Sequence, residues 1–209
     1  MRKIHIIMGE KKSIFHKLSD ISRIHQRAAF TDVAKHTAPK ESAFLRLAAE
    51  RYSCRSFTGA DISDDELASL LEAARLAPSA INNQPVHLWV FKSPEARERL
   101  KEVTKYTFDA PVIILVACKE DQAWVRGCDG KNSAEVDAAI AGTHIMMEAV
   151  SLGLGSTWVG SFNPARLAQL FPETAEWTPV ALFPIGHPAG EPSPRHSHRK
   201  SIKDFTSQL

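Results

Sequence analysis

Cysteine is scarce: Cys54, Cys118 and Cys128 are the three in 209 residues. Their odd number and the lack of a CxxC pair leave no disulfide framework to read and fit a reducing compartment, so a cytoplasmic location is expected. Long apolar runs are missing as well. None approaches the roughly 18 residues of a membrane span, which leads us to expect a soluble protein with no membrane partner. The stretch Ile4-His5-Ile6-Ile7-Met8 is too short for a secretory core, is broken by His5 and lacks a small-residue cleavage site. Net charge is only +2 with 24% charged residues, so nothing announces a nucleic-acid or polyanion partner. There is no G-x-S-x-G elbow, P-loop or HExxH helix. Histidines 5, 16, 25 and 36 are scattered, and His187, His196 and His198 have no second ligand group at usable spacing, so no metal site is expected. A chain lacking these residue-based engines, if it is an enzyme, takes its chemistry from a cofactor.

What is present is enough for one sizeable core: 44% of residues are hydrophobic, and a single domain is the default at this length. Charge is uneven. Nine Lys and Arg face three acids in residues 1–40, so a basic leader precedes a mildly acidic body. Such a leader reads as an arm, a targeting segment or a start codon placed upstream. Ile14, Leu18, Ile21 and Ile24 recur at helical spacing within it. We take residues 1–42 as a basic extension and 43–209 as the domain.

The body alternates helices and strands. Ser42 to Glu50 reads as a short helix with Phe44, Leu45, Leu47 and Ala48 as its apolar positions. Ser63 and Glu66 form a capping box before a helix whose face is Leu67, Leu70, Leu71, Ala74 and Ala77, stopped by Pro78. Val86 to Phe91 is a strand, and Ser93-Pro94 caps a helix. The continuous apolar run Pro111 to Cys118 is a strand buried on both faces, at the middle of the sheet. Val136, Ala139, Ile140, Thr143, Met147 and Val150 mark a long helix from Ala134 to Leu152, closed by Gly153. A short strand over Ser156 to Ser161, a helix capped by Asn163-Pro164 and a strand over Pro179 to Ile185 follow. The pattern gives a sheet layered with helices and leaves strand order open.

Three segments could carry chemistry. Arg51-Tyr52-Ser53-Cys54-Arg55 sets two guanidiniums four residues apart around a hydroxyl, a two-armed clamp for a phosphate; standing alone it reads first as a solvated basic face paired with Glu50 or Asp61. Pro78-Ser79-Ala80-Ile81-Asn82-Asn83-Gln84-Pro85 lies between a helix end and a strand, where amide side chains can meet a heterocycle edge, or it is an ordinary turn. Gly153-Leu-Gly-Ser-Thr-Trp-Val-Gly160 has the wrong order for a dinucleotide loop, because its glycines close a helix and lead into a strand. It suits close approach of backbone to a flat ring, with amide N–H groups near Gly160 directed at it.

In this order the segments resemble the nitroreductase family of FMN enzymes. Arg51, Ser53 and Arg55 are similar to its R-x-S-x-R motif, which the resemblance assigns, with Tyr52 beside them, to the FMN phosphate and ribityl chain. Pro78, Ser79, Asn82, Gln84 and Pro85 resemble its P-S-x-x-N-x-Q-P motif, laid against the flavin by the partner subunit. Gly153, Gly155 and Trp158, Val159, Gly160 and Ser161 are similar to its G-L-G-x-x-W-x-G segment, where a backbone amide meets flavin N5. Gly186-His187-Pro188 and the basic pair Arg199-Lys200 resemble its closing stretch, whose arginine returns to the phosphate. His187, in place of an aromatic, and Val86, in place of a Trp, depart from the pattern. The resemblance implies an α+β fold, a three-layer α/β/α sandwich around a central mixed sheet, in an interlocked homodimer with FMN between the subunits. It also implies NADH or NADPH as electron donor, a small-molecule acceptor such as a nitroaromatic or quinone, and a ping-pong cycle. Alternatives are a specialised flavin enzyme of the same family, for dehalogenation or heterocycle oxidation, and a non-catalytic flavin-binding module. The loop Trp124 to Lys131 either lines the substrate entrance or is an ordinary surface loop.

Overall fold

The structure is a computed structural model that describes residues 41–209; the leader, with the helical spacing around Ile14 to Ile24, lies outside the described residues. The chain divides after Ser193. The part up to Ser193 is one compact unit, and Pro194–Leu209 belongs to a second.

Local sequence signals set most element ends. Helix α1 (Ala43–Glu50) starts where the Ser42 hydroxyl accepts the Leu45 N–H. Helix α2 (Asp64–Arg75) carries the expected capping box: Ser63 Oγ accepts from the Glu66 N–H, and the Glu66 carboxylate accepts from the Ser63 N–H at 2.7 Å. Ser93 and Asn163 cap α3 (Pro94–Leu100) and α5 (Pro164–Leu170) with proline in the first turn of each. Between them lie β1 (Val86–Phe91), β2 (Val112–Cys118), α4 (Ala134–Ser151) and β3 (Gly155–Ser156). Gly153, at φ +73, takes the left-handed conformation that lets the chain turn off α4. Strand β4 (Thr178–Gly186) completes the sheet.

The four strands lie in the order β1-β2-β4-β3, so the fully buried β2 is interior, with β4 beside it. Among the described residues every ladder is antiparallel where a mixed sheet was expected, and Ser53–Ser156 is an isolated parallel bridge outside the strands. The two-residue period of the strands sorts side chains into two layers. Val112, Ile114, Val116, Ala181, Phe183 and Ile185 pack with Leu70 and Ala74 of α2 and with α4. Phe91, Ile113, Leu115 and Leu182 pack with Leu100 of α3 and Leu167 of α5. Helices thus cover both faces, giving a three-layer α+β sandwich.

Helix α4 departs from expectation in one respect. Its buried stripe is Ala134, Asp137, Ala138, Ala141, Gly142, Ile145 and Ala149, whereas the sequence pattern pointed to Val136, Ala139, Ile140, Thr143, Met147 and Val150. Close packing is the reason: a Cβ on Gly142 would come within 2.6 Å of Phe183 Cζ, so the helix meets the sheet through its smallest residues. Val136 is left 50% exposed.

Candidate active site

The segment after α1 leaves the helix at Arg51 (φ −59, ψ 123) and is stitched to two others by backbone. Cys54 N–H donates to the Ser156 carbonyl at 3.0 Å, Thr58 N–H to His187 O at 3.0 Å and Ala189 N–H to Ser56 O at 2.9 Å. Tyr52 Oη donates to Gly190 O at 2.8 Å. Burial, helped by Cys54 and Glu191, pushes the Tyr52 phenol up to about 12, so it remains a donor at neutral pH. Two glycines make the approach possible: a Cβ on Gly155 would lie 2.7 Å from Cys54 Cβ and Sγ, and one on Gly186 2.7 Å from Pro111 Cδ and 3.2 Å from Phe57 Cδ1. The Arg51–Arg55, Gly153–Gly160 and Gly186–Pro188 segments therefore meet around the end of β3 and β4. Cys54 is buried inward, Arg51 and Ser53 are half-buried, and Arg55 is exposed with Nη1 donating to Ser53 O at 3.2 Å.

The 155–161 segment is held from both sides. Val159 and Leu182 exchange backbone hydrogen bonds at 2.9 and 3.0 Å, and Thr104 Oγ1 donates to Ser161 O at 2.7 Å. Trp158 stands edge-on to Phe183 with ring centroids 5.1 Å apart. Regular strand covers Gly155–Ser156 and pairing resumes as a bridge at Val159, in place of the continuous strand to Ser161. Between these fixed points Gly160 is exposed, and among the described residues its N–H has no acceptor. The hydroxyl of Ser156 is buried and likewise unpartnered.

The Pro78–Pro85 segment is anchored elsewhere. It contains a 3-10 turn, Ala80–Asn82, and three non-glycine residues at positive φ: Ile81 (+46), Asn82 (+61) and Gln84 (+53). A left-handed residue of this kind costs on the order of 1 kcal/mol or more, most for the β-branched Ile81, and persists where surroundings over-determine it. Here Ser79 Oγ accepts the Gln84 N–H at 2.9 Å, and Asp137 Oδ1 accepts the Ala80 N–H at 2.9 Å. Ile81, Asn82 and Gln84 are all exposed.

In the terminal unit, Arg199 Nη1 donates to the carbonyls of His196 and, at 2.9 Å, His198. Lys200 precedes Ser201, the cap of the short helix α6 (Ile202–Phe205). The Trp124–Lys131 loop is closed by a Val125–Asn132 bridge and an Arg126–Asp129 ion pair. Among the described residues no three His, Cys, Asp or Glu side chains gather to hold a metal, and no helix is long and apolar enough to cross a membrane.

The sequence profile of the nitroreductase family matches residues 48–108 and 104–187. This chain belongs to the nitroreductase family. The matched residues thus include the Arg51–Arg55 and Gly155–Ser161 segments and the strained loop. Among similar proteins, a nitroreductase family protein from Clostridium difficile 630 superposes with a TM-score of 0.74 at 32% identity, over 79% of this chain and 98% of that one. A Desulfovibrio desulfuricans protein solved in complex with FMN gives a TM-score of 0.68 at 28% identity, over 81% and 98%. A Methanothermobacter thermautotrophicus protein, provisionally named NADH dehydrogenase/NAD(P)H nitroreductase, is 31% identical over 69% of this chain and 77% of its own.

Sequence reasoning passed over two residues of this family member. Asp137 is 3% exposed and grips the strained loop; Thr104 is 7% exposed and fixes Ser161. The Ser133-x-x-x-Asp137 spacing at a helix start was the available signal for the first; Thr104 had none.

Proposed function

We propose that this chain is an FMN-dependent oxidoreductase that passes electrons from NADH or NADPH to a small acceptor such as a nitroaromatic or quinone, donor and acceptor binding in turn. The observation that carries the reading is the backbone joining of the Arg51–Arg55 segment to the segment that carries an unsatisfied amide. Arg51, Ser53 and Arg55 lie on a segment hydrogen-bonded to Ser156, and the same 155–161 segment offers an exposed Gly160 N–H with no acceptor among the described residues.

The donor set fits FMN. Two guanidiniums and a hydroxyl suit a phosphate dianion, for which a planar bidentate group orients better than an ammonium. The free Gly160 amide suits a ring position that gains negative charge, where a preorganised donor is most effective. Val159 cannot serve that role, because its N–H is committed to Leu182. When bound, FMN supplies two-electron transfer between the nicotinamide and the acceptor. The protein's own task is then to hold the phosphate with Arg51, Ser53 and Arg55, to present the Gly160 N–H, and to cover the site with Ser79, Asn82 and Gln84. The domain that does this is residues 43–209, with 1–42 as a basic extension.

The working form is a homodimer. Helix α4 is apolar on nearly every side and meets the sheet through small residues, which leaves Val136 50% exposed; Ile81 is 74%, Leu76 64% and Phe44 63% exposed. A helix that is apolar all round calls for burial on both sides, and a second copy would supply it, together with the other half of the flavin site.

Titration of purified protein with FMN, followed by flavin fluorescence and sedimentation, tests this. We expect a yellow dimer with one FMN per chain. Protein that stays colourless at saturating FMN, or a monomer that keeps the flavin, overturns it.

A further inference from the structure

Asp137 is an uneconomical residue for a core position. It sits one turn into α4, 3% exposed, in a stripe otherwise made of Ala, Gly and Ile. No ion pair involves it among the described residues. A buried carboxylate without a cation needs strong donors. It has two, Ala80 N–H at Oδ1 and Ser133 Oγ–H at Oδ2, both at 2.9 Å.

The Ala80 bond reaches into the stretch with the most positive-φ non-glycine residues among the described residues. Ile81, Asn82 and Gln84 hold positive φ, yet Ile81 is 74% exposed, so burial within this chain does not offset the strain. Within the loop the restraints are local: Asn82 N–H to Ser79 O at 3.0 Å, Asn83 N–H to Ala80 O at 3.1 Å and Gln84 N–H to Ser79 Oγ at 2.9 Å. These define a turn whose far end is held where Pro85 O accepts the Lys119 N–H at 2.9 Å, and whose near end they leave unplaced. Asp137 ties that turn to α4, and a charged acceptor makes a shorter, stronger bond than a neutral one.

We propose that Asp137 is a positioning residue: its buried carboxylate fixes the Pro78–Pro85 loop in its strained shape before ligand arrives, so that Asn82 and Gln84 meet the flavin preorganised. The inference rests on the flavin reading above. Without the anchor the loop relaxes, and its ordering is charged against binding.

Asp137→Ala and Asp137→Asn, each compared with the full wild-type chain, give the test through two readouts: FMN dissociation constant by fluorescence, and amide hydrogen exchange of the flavin-free protein. In Asp137→Ala, exchange protection falls at residues 79–84 and is unchanged in β2, while the FMN dissociation constant rises roughly tenfold or more. Asp137→Asn keeps one acceptor oxygen and falls between. Wild-type FMN affinity in Asp137→Ala, or lost affinity with the loop still protected, overturns the role alone. Should Asp137→Ala fail to fold, Asp137→Asn decides: a rise of about threefold supports the role, and an unchanged constant overturns it. Wild-type protein that binds no FMN overturns the flavin reading itself, and this role with it.

Discussion

At the scale of single residues, the site exists because certain atoms are absent and others are left without partners. A methyl group on Gly155 would push against Cys54 at 2.7 Å, separating the strand that carries Arg51, Ser53 and Arg55 from the one that carries Gly160. The exposed Arg55 guanidinium leans on Ser53 O through one nitrogen, which leaves its fork available for a phosphate. Arg55→Ala should therefore weaken FMN binding roughly tenfold or more while leaving the thermal midpoint of the flavin-free protein unchanged. Arg55→Lys should recover only part of the affinity, since it restores charge without the planar fork. Fluorescence titration of both variants checks this, and wild-type affinity in Arg55→Ala would remove the phosphate assignment.

At the scale of elements, the capping box of α2 gives the clearest pH dependence. Hydrogen bonds from the Ser63 backbone and hydroxyl hold the Glu66 carboxyl below the usual carboxylate range. Because the folded-state value is depressed, this stabilisation is present at neutral pH and is lost as pH falls through it. Ser63→Ala should cost about 1 kcal/mol near pH 7 and flatten the stability loss between there and about pH 3.5, as measured by urea unfolding at both. Such elements were legible because caps, prolines and the C-terminal Gly153 are written in residue types, and β2 because only a doubly buried strand is apolar at every position. The buried face of α4 was not, since an Ala and Gly stripe is a weak signal beside Val, Ile and Met; only packing against Phe183 selects it. The strained loop was legible as a polar segment between prolines but not in its shape, because nothing in Ile81 announces a positive φ. Asp137 stayed hidden for a related reason: an acid in the first turns of a helix ordinarily reads as a solvated partner of the dipole.

At the scale of the whole molecule, one chain brings together the cationic strand, the Gly160 amide and the close-packed sheet, and leaves Val136, Ile81 and Leu76 facing outward. In the proposed homodimer, a second copy that covered those residues would also lay the Pro78–Pro85 loop over a flavin held by its neighbour, which would join oligomeric state to activity. The family, the three-layer fold and the meeting of three sequence segments are features of the chain itself; electron flow through a bound flavin is the claim built on them. Anaerobic titration of the FMN-loaded protein with NADH and with NADPH, followed by absorbance near 450 nm, roughly the oxidised-flavin band, tests it most directly. The flavin should bleach at a catalytically useful rate with at least one nicotinamide and recover its colour on adding a quinone or nitroaromatic. A tightly bound flavin that neither nicotinamide reduces would contradict the account.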